Sequence, residues 1–393
     1  MTTNVAVGIG KGLDGRDAAR KATRQALDKL GTVHPILGLV FVSQEYNTGD
    51  AVAGVSSMLA SVPLWGFCTH ATFSSAGEQN RSVAVAIIGG RDSDVQVNWW
   101  PKYSNETLNA AFALVQLLNN PQQPPQALLL AADGVSGEAG LLCAALGQTA
   151  IPLAGGLASG EYQLGQTPIV GGSQWGGAAF ASLILYDRLR LGVGAAHGWR
   201  DTGIHFTLTE VTGRWIQTLN GLPAAETYSR AFKSPVQDWC KPPLNELVRL
   251  YPLGIESETQ GGELTLHAPL IAEADGRLKM SATLEENLTG HLMIGDATSC
   301  LSAIHRAAQE AMESLKSQGN AKPILALVFA DLAWRYLFEA KPNQVADALQ
   351  TELGNIPFIG ACTLGQFARS GTGPRPHLLD QHLEIALIGE TKK

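Results

Sequence analysis

The chain has 393 residues, of which 45% are hydrophobic and 16% charged; 28 Lys and Arg face 35 Asp and Glu, for a net charge of −7. Charged residues fall well below the ~25% of ordinary soluble domains, which excludes a disordered chain, and the absence of any cluster of five Lys or Arg speaks against a nucleic-acid partner. No apolar run reaches the ~18 residues of a membrane span and Met1–Gly10 lacks the parts of a secretory signal, so a cytoplasmic protein without membrane insertion is expected.

The elements follow in chain order. Val5 to Ile9 reads as a strand, and Arg16 to Leu30 as a helix with Ala18, Ala22, Ala26 and Leu30 on one face. Between them Gly10-Lys-Gly12-Leu-Asp-Gly15 has the spacing of a dinucleotide-binding turn, but the next acidic residue after a strand, Glu45, comes about thirty residues on rather than ~20, and a plain strand-to-helix turn is the stronger reading. A β-branched run, Ile36 to Val42, is followed by a helical Asp50 to Val62, then Pro63-Leu-Trp-Gly66-Phe-Cys68-Thr69, a polar loop and a closing strand, Ser82 to Gly89.

The same order of parts returns twice. A looser copy has a helical stripe of Leu108, Ala111, Phe112, Val115 and Leu118, a strand Ala127 to Ala132, a helix ending at Leu146, Pro152-Leu-Ala-Gly155-Gly156 and a strand Ala178 to Tyr186; the glycine-rich stretch Gly155 to Gly177, with Glu161, Tyr162 and Trp175, reads as loop. A closer copy has a strand Leu292 to Ile294, a helix Leu301 to Leu315, a strand Ile324 to Ala330, a helix Asn343 to Leu353, Pro357-Phe-Ile-Gly360-Ala-Cys362-Thr363 and a closing strand, Leu383 to Gly389. Between these copies, 201–290 alternates in short runs with turns at Asn220-Gly221, Gly261-Gly262 and Asp275-Gly276, and reads as a β-rich insert in which Val236 to Pro243, with Pro242 and Pro243, is a surface loop. Strands joined by helices pair in parallel and loop-linked closing strands antiparallel, so the expected fold is α/β: repeated units forming mixed sheets covered by helices, divided into domains 1–199 and 200–393.

Common catalytic signatures are absent: no H-E-x-x-H, Walker loop, G-x-S-x-G or EF-hand occurs. The five cysteines, Cys68, Cys143, Cys240, Cys300 and Cys362, are scattered without a C-x-x-C pair, and the histidines show no ligand spacing, so neither a disulfide framework nor a metal or other cofactor is expected. The recurring P-x-x-G-x-C-T is more informative. A glycine in a strand admits a close neighbour, which makes Cys68, Thr69 and His70, and Gly360, Cys362 and Thr363, candidate pocket linings, although a buried Cys is most simply a small hydrophobe. Asp331 and Arg335 stand at the C-terminal end of a strand, where α/β sheets bind ligands; Arg335 either grips a carboxylate or pairs with Asp331 or Glu339.

In their order along the chain, Leu39-Val-Phe-Val-Ser43, Pro63 to Thr69, Gly155-Gly-Leu-Ala158, His197-Gly-Trp-Arg200, Phe206 to Thr209, Leu219 to Ala224, Tyr251-Pro-Leu253 and Pro357 to Phe367 resemble the FIST family, the sensory module of bacterial signalling proteins and some F-box proteins. The resemblance covers nearly the whole chain and implies a FIST N plus FIST C arrangement that binds small ligands, proposed for the family to be amino acids or their derivatives. Family members often carry a Cys near Asp331 and a Gly-Glu pair where this chain has Gly365-Gln366. The expectation is a sensor or adaptor that binds a small polar metabolite and presents its state to a protein signalling partner, with Asp331, Arg335, Gly360, Cys362, Thr363, Gln366, Cys68, Thr69 and His70 as ligand-binding candidates. The alternatives are a thiol-dependent enzyme using Cys362 or Cys68, and a ligand-free interaction scaffold.

Overall fold

A computed structural model describes residues 3–120, 122–239, 241, 247–256, 264–369 and 375–391; Cys240, Pro242, Pro243 and the Gly261-Gly262 turn lie outside them. The chain builds one α/β unit three times. In the first, strands Asn4–Gly10, Pro35–Ser43, Leu64–Thr69 and Val83–Gly89 alternate with helices Gly15–Leu30 and Thr48–Leu59. The closing strand inserts antiparallel between the first and second, and the second pairs in parallel with the third. The second unit repeats this with Val95–Trp100, Ala127–Ala132, Leu153–Ala158 and Phe180–Leu185, and the third with Leu189–Ala196, Lys322–Asp331, Phe358–Ala368 and Leu383–Glu390.

The glycines of the recurring motif occupy one register position in all three units. Gly66 lies opposite Val40, Gly155 opposite Leu130 and Gly360 opposite Val328. At Gly66 (φ +154°) and Gly155 (φ +146°), a Cβ would sit 1.8 and 1.9 Å from the carbonyl oxygen of the facing residue, so no other residue type fits.

Units one and two each lend a hairpin strand to a neighbour. Thr72–Ser74 of the first pairs with Phe358–Ala368 of the third, and Ile169–Gly172 of the second pairs with Leu64–Thr69 of the first. The far half of the third unit's Phe358–Ala368 strand pairs with Leu153–Ala158 of the second, closing a cycle. The first unit's sheet therefore stacks on the long sheet shared by the other two. Between them lies an apolar layer that includes Leu39, Phe41, Phe67, Leu129, Leu327 and Phe329, in which Phe41 lies 5.0 Å from Phe67 and 6.0 Å from Phe329, ring centre to ring centre. Helices cover both outer faces. Among the described residues, none of these helices is long and apolar enough to cross a membrane.

Several sequence expectations differ from the structure: Gly155 to Gly177, read as loop, takes part in strands Leu153–Ala158, Ile169–Gly172 and Gln174–Gly176, and Val236–Trp239, read as surface loop, is a short helix whose Trp239 is buried. Leu292 to Ile294 is not the third unit's opening strand: Thr289–Gly295 pairs with Trp199–Thr212 and Leu253–Glu256 inside the insert. The opening strand is Leu189–Ala196, on which the helix Ala297–Lys316 lies so closely that a Cβ on Gly192 or Gly194 would meet the helix backbone at 2.2 Å, as one on Gly8 or Gly10 would meet Gly15–Leu30. The second unit's helix Tyr103–Leu118 buries Ala111, Leu114, Val115 and Leu118 but leaves Leu108 and Phe112 exposed, because its buried face runs through Thr107, Ala111, Leu114 and Leu118 and those two residues fall on its flank.

The Gly10–Gly15 segment is a strand-to-helix turn closed by Tyr46 from the loop after the second strand and by its own Asp14. Tyr46 Oη accepts from Gly12 N at 2.9 Å, and Asp14 caps the helix through Asp17 N at 2.8 Å. The insert forms an antiparallel sheet over a separate core that includes Leu208, Ile216, Tyr228, Val248, Leu253 and Leu292.

Candidate ligand site

The two Cys-Thr dipeptides meet where the three units join. Thr69 Oγ1 donates to the Cys362 carbonyl at 2.9 Å, Ser159 Oγ of the second unit donates to the same oxygen at 2.8 Å, and His70 N donates to Ser159 Oγ at 3.0 Å. Cys68, Thr69, Cys362 and Thr363 are fully buried. Burial pushes the Cys68 and Cys362 thiols up to about 12, and burial together with Arg335 pushes His70 down to about 4. These shifts are the reverse of what an activated thiolate and its base require, and nothing here favours the thiol-enzyme reading.

The other candidates lie on the far side of the third unit's strand. Asp331 ends Lys322–Asp331 and caps the short helix Leu332–Leu337 by accepting from Ala333 N at 2.9 Å. Its partner is neither Arg335 nor a surface cation but Arg249 of the insert, whose Nη2 lies 3.5 Å from both carboxylate oxygens. Arg335 bonds instead to Glu78 of the first unit. The Gln366 amide nitrogen donates to Leu379 O at 3.1 Å, and its oxygen accepts from Thr363 Oγ1 at 2.6 Å and from Asp331 N at 3.3 Å.

Directly above this layer, between the insert and the second and third units, lies a cavity of about 470 Å³. Its apolar floor is Leu157, Leu364 and Leu378; Arg214 and Lys279 of the insert form one rim, and Arg249, Ser281 and Asp380 form a polar wall. Arg249 is only 4% exposed, although no hydrogen-bond partner for its Nε is found among the described residues. Burial works against its charge, but the carboxylates of Asp331 and Asp380 outweigh that and raise it. Asp380 accepts from Ser281 Oγ, and burial, reinforced by the charge of Asp331, raises its carboxyl to about 7. Arg214 Nε donates to the Met280 carbonyl at 3.0 Å and Lys279 Nζ lies 5.6 Å from the Trp215 ring; among the described residues neither cation has a carboxylate partner.

The structure thus groups Asp331, Thr363 and Gln366 just beneath the cavity and places Cys68, Thr69, His70 and Cys362 at the junction of units. Gly360 is a strand-packing position and Arg335 an inter-unit ion pair. Sequence reading missed Arg214, Arg249, Lys279 and Asp380. The one local signal was Arg249 set between apolar neighbours in Val248–Leu250, a charge in a run that buries itself.

Residues 36–222 match the FIST N domain and residues 224–369 the FIST C domain. No curated protein sequence matches the chain. Among solved structures it is similar to a cyanuric acid hydrolase from A. caulinodans, at 8% identity and a TM-score of 0.38 over 100% of both chains. It is also similar to a chorismatase, at 13% identity and 0.33 over 99% of both chains, and to T. maritima PurL complexed with AMPPCP, at 9% identity and 0.26 over 99% of this chain and 73% of that one. These likenesses are too distant to carry an activity across.

Proposed function

The chain belongs to the FIST family, whose domains are generally sensory domains of signal transduction, and we propose that it senses a small anionic or zwitterionic metabolite, an amino acid or related acid, bound in the cavity beneath the insert. The observation that carries this reading is the pair of rim cations, Arg214 and Lys279, without carboxylate partners among the described residues, above an apolar floor. Such a site attracts a carboxylate and accepts its aliphatic body. Arg249 is the deeper contact, with Asp331 and Gln366 beneath it as positioning residues rather than ligand contacts. The insert supplies both rim cations, so ligand would hold it against the units, and that closed arrangement is what a protein partner in the cytoplasm would read.

Calorimetric titration with amino acids and organic acids, preceded by a thermal-shift screen, tests the proposal. A ligand should raise the melting temperature, and the Arg214→Ala, Lys279→Ala pair should weaken it tenfold or more, about 1.4 kcal/mol, while leaving the unliganded melting temperature in place. A screen in which no acid binds, or a ligand whose affinity survives both substitutions, refutes the assignment.

A further inference from the structure

We propose that Asp201, His205 and His291 form a binding site for a divalent first-row metal ion of the zinc type, on the insert and separate from the cavity. The sequence separates these residues by up to ninety positions; the fold brings them together. His205 and His291 are directly opposed across the Trp199–Thr212 and Thr289–Gly295 strands, and a bulge between Asp201 and His205 returns Asp201 to the same place. The bulge is fixed by Thr202 Oγ1 donating to Leu292 O at 2.8 Å and by Gly203 N donating to Asp201 Oδ1 at 2.8 Å. That second bond orients the carboxylate so that Oδ2 faces both imidazoles, 2.8 Å from His291 Nδ1 and 3.2 Å from His205 Nε2.

Two donor atoms held tetrahedrally by one ion at about 2.1 Å are about 3.4 Å apart, so Asp–His separations of 2.8 and 3.2 Å need open only by a fraction of an ångström to admit it. All three donor atoms lie within 4.8 Å of one another, and the imidazole centres are 4.2 Å apart. His205 is 47% exposed and free to turn, which is what the remaining His–His gap requires. Two imidazole nitrogens and one carboxylate oxygen on one face are the donor set of zinc and its first-row neighbours, leaving further positions for water or an outside ligand. In the metal-free protein the two nitrogens bond Asp201 through protons; the ion takes the place of those protons at the same atoms.

Tag-free, chelator-treated protein titrated with zinc chloride by calorimetry, with cobalt(II) absorbance as a second readout, decides the matter. The expected result is one ion per chain, weakened tenfold or more in both His291→Ala and His205→Gln, with the metal-free melting temperature of each variant unchanged. No stoichiometric binding by the natural protein, or equal affinity in the variants, overturns the proposal and leaves a hydrogen-bonded surface trio. Should His291→Ala fail to fold, the exposed His205→Gln decides alone.

Discussion

Replacing Asp380 by Asn removes a carboxyl that the fold buries beside a second carboxylate. Its folded value of about 7 stands above an unfolded value near 3.8, so the native state holds the proton more tightly than the unfolded chain. The stabilisation is therefore complete below pH 3.8 and is lost progressively as pH rises to 7. At about 1.4 kcal/mol per pH unit the loss totals about 4 kcal/mol. The amide keeps an acceptor oxygen for Ser281 Oγ and for Ala268 N, which lies 3.4 Å from Asp380, and it does not ionise. Natural protein and Asp380→Asn should therefore have similar stability near pH 4, and the variant's advantage should grow by about 3 kcal/mol between pH 5 and pH 8. Urea unfolding of both proteins across that range measures the difference. Burial raises the Glu384 carboxyl too, but that group is present in both proteins and its slope cancels. Stability profiles that run parallel from pH 4 to pH 8 would refute the tightened proton affinity that burial beside Asp331 gives Asp380.

Gly155→Ala should cost at least about 3 kcal/mol, since its Cβ meets the Leu130 carbonyl at 1.9 Å in a backbone conformation that L residues avoid; Gly140→Ala, where a Cβ meets nothing within 4 Å, serves as control and should be neutral or slightly stabilising in urea melts. Cys68 and Cys362 should resist iodoacetamide at pH 8 in the native protein and label quickly only in denaturant, as followed by mass spectrometry; fast native labelling at either would reopen the thiol reading.

Much of the α/β frame was legible because its signals are local. A proline, a glycine and a small polar pair at fixed spacing mark the third strand of a unit, and the alanine face of Arg16 to Leu30 marks a helix that lies close to a sheet. The third unit's opening strand was not legible. The insert separates Leu189–Ala196 from the helix that packs on it, and the nearer Leu292 to Ile294 offered the same apolar pattern to a different sheet. The cavity was harder still. Arg214, Arg249 and Lys279 come from the insert and Asp380 from the turn before the last strand, so no spacing in the chain relates them. Asp331 was singled out by its place at a strand end and Gln366 by the family resemblance, and both lie one layer beneath the side chains that face the opening. Asp201, His205 and His291 escaped for a related reason: a ligand set assembled across a bulged strand pair has no linear signature.

The borrowed strands bear on how the protein comes to be folded. Each unit leaves hydrogen-bonding edges that only another unit satisfies, and the third cannot be finished until Leu383–Glu390 slides between Leu189–Ala196 and Lys322–Asp331. A nascent chain on the ribosome must therefore hold open edges until Leu383–Glu390 has emerged, a long exposure to self-association. Fragments cut at unit boundaries should aggregate rather than behave as autonomous modules, and recovery from denaturant should be slow and dependent on protein concentration.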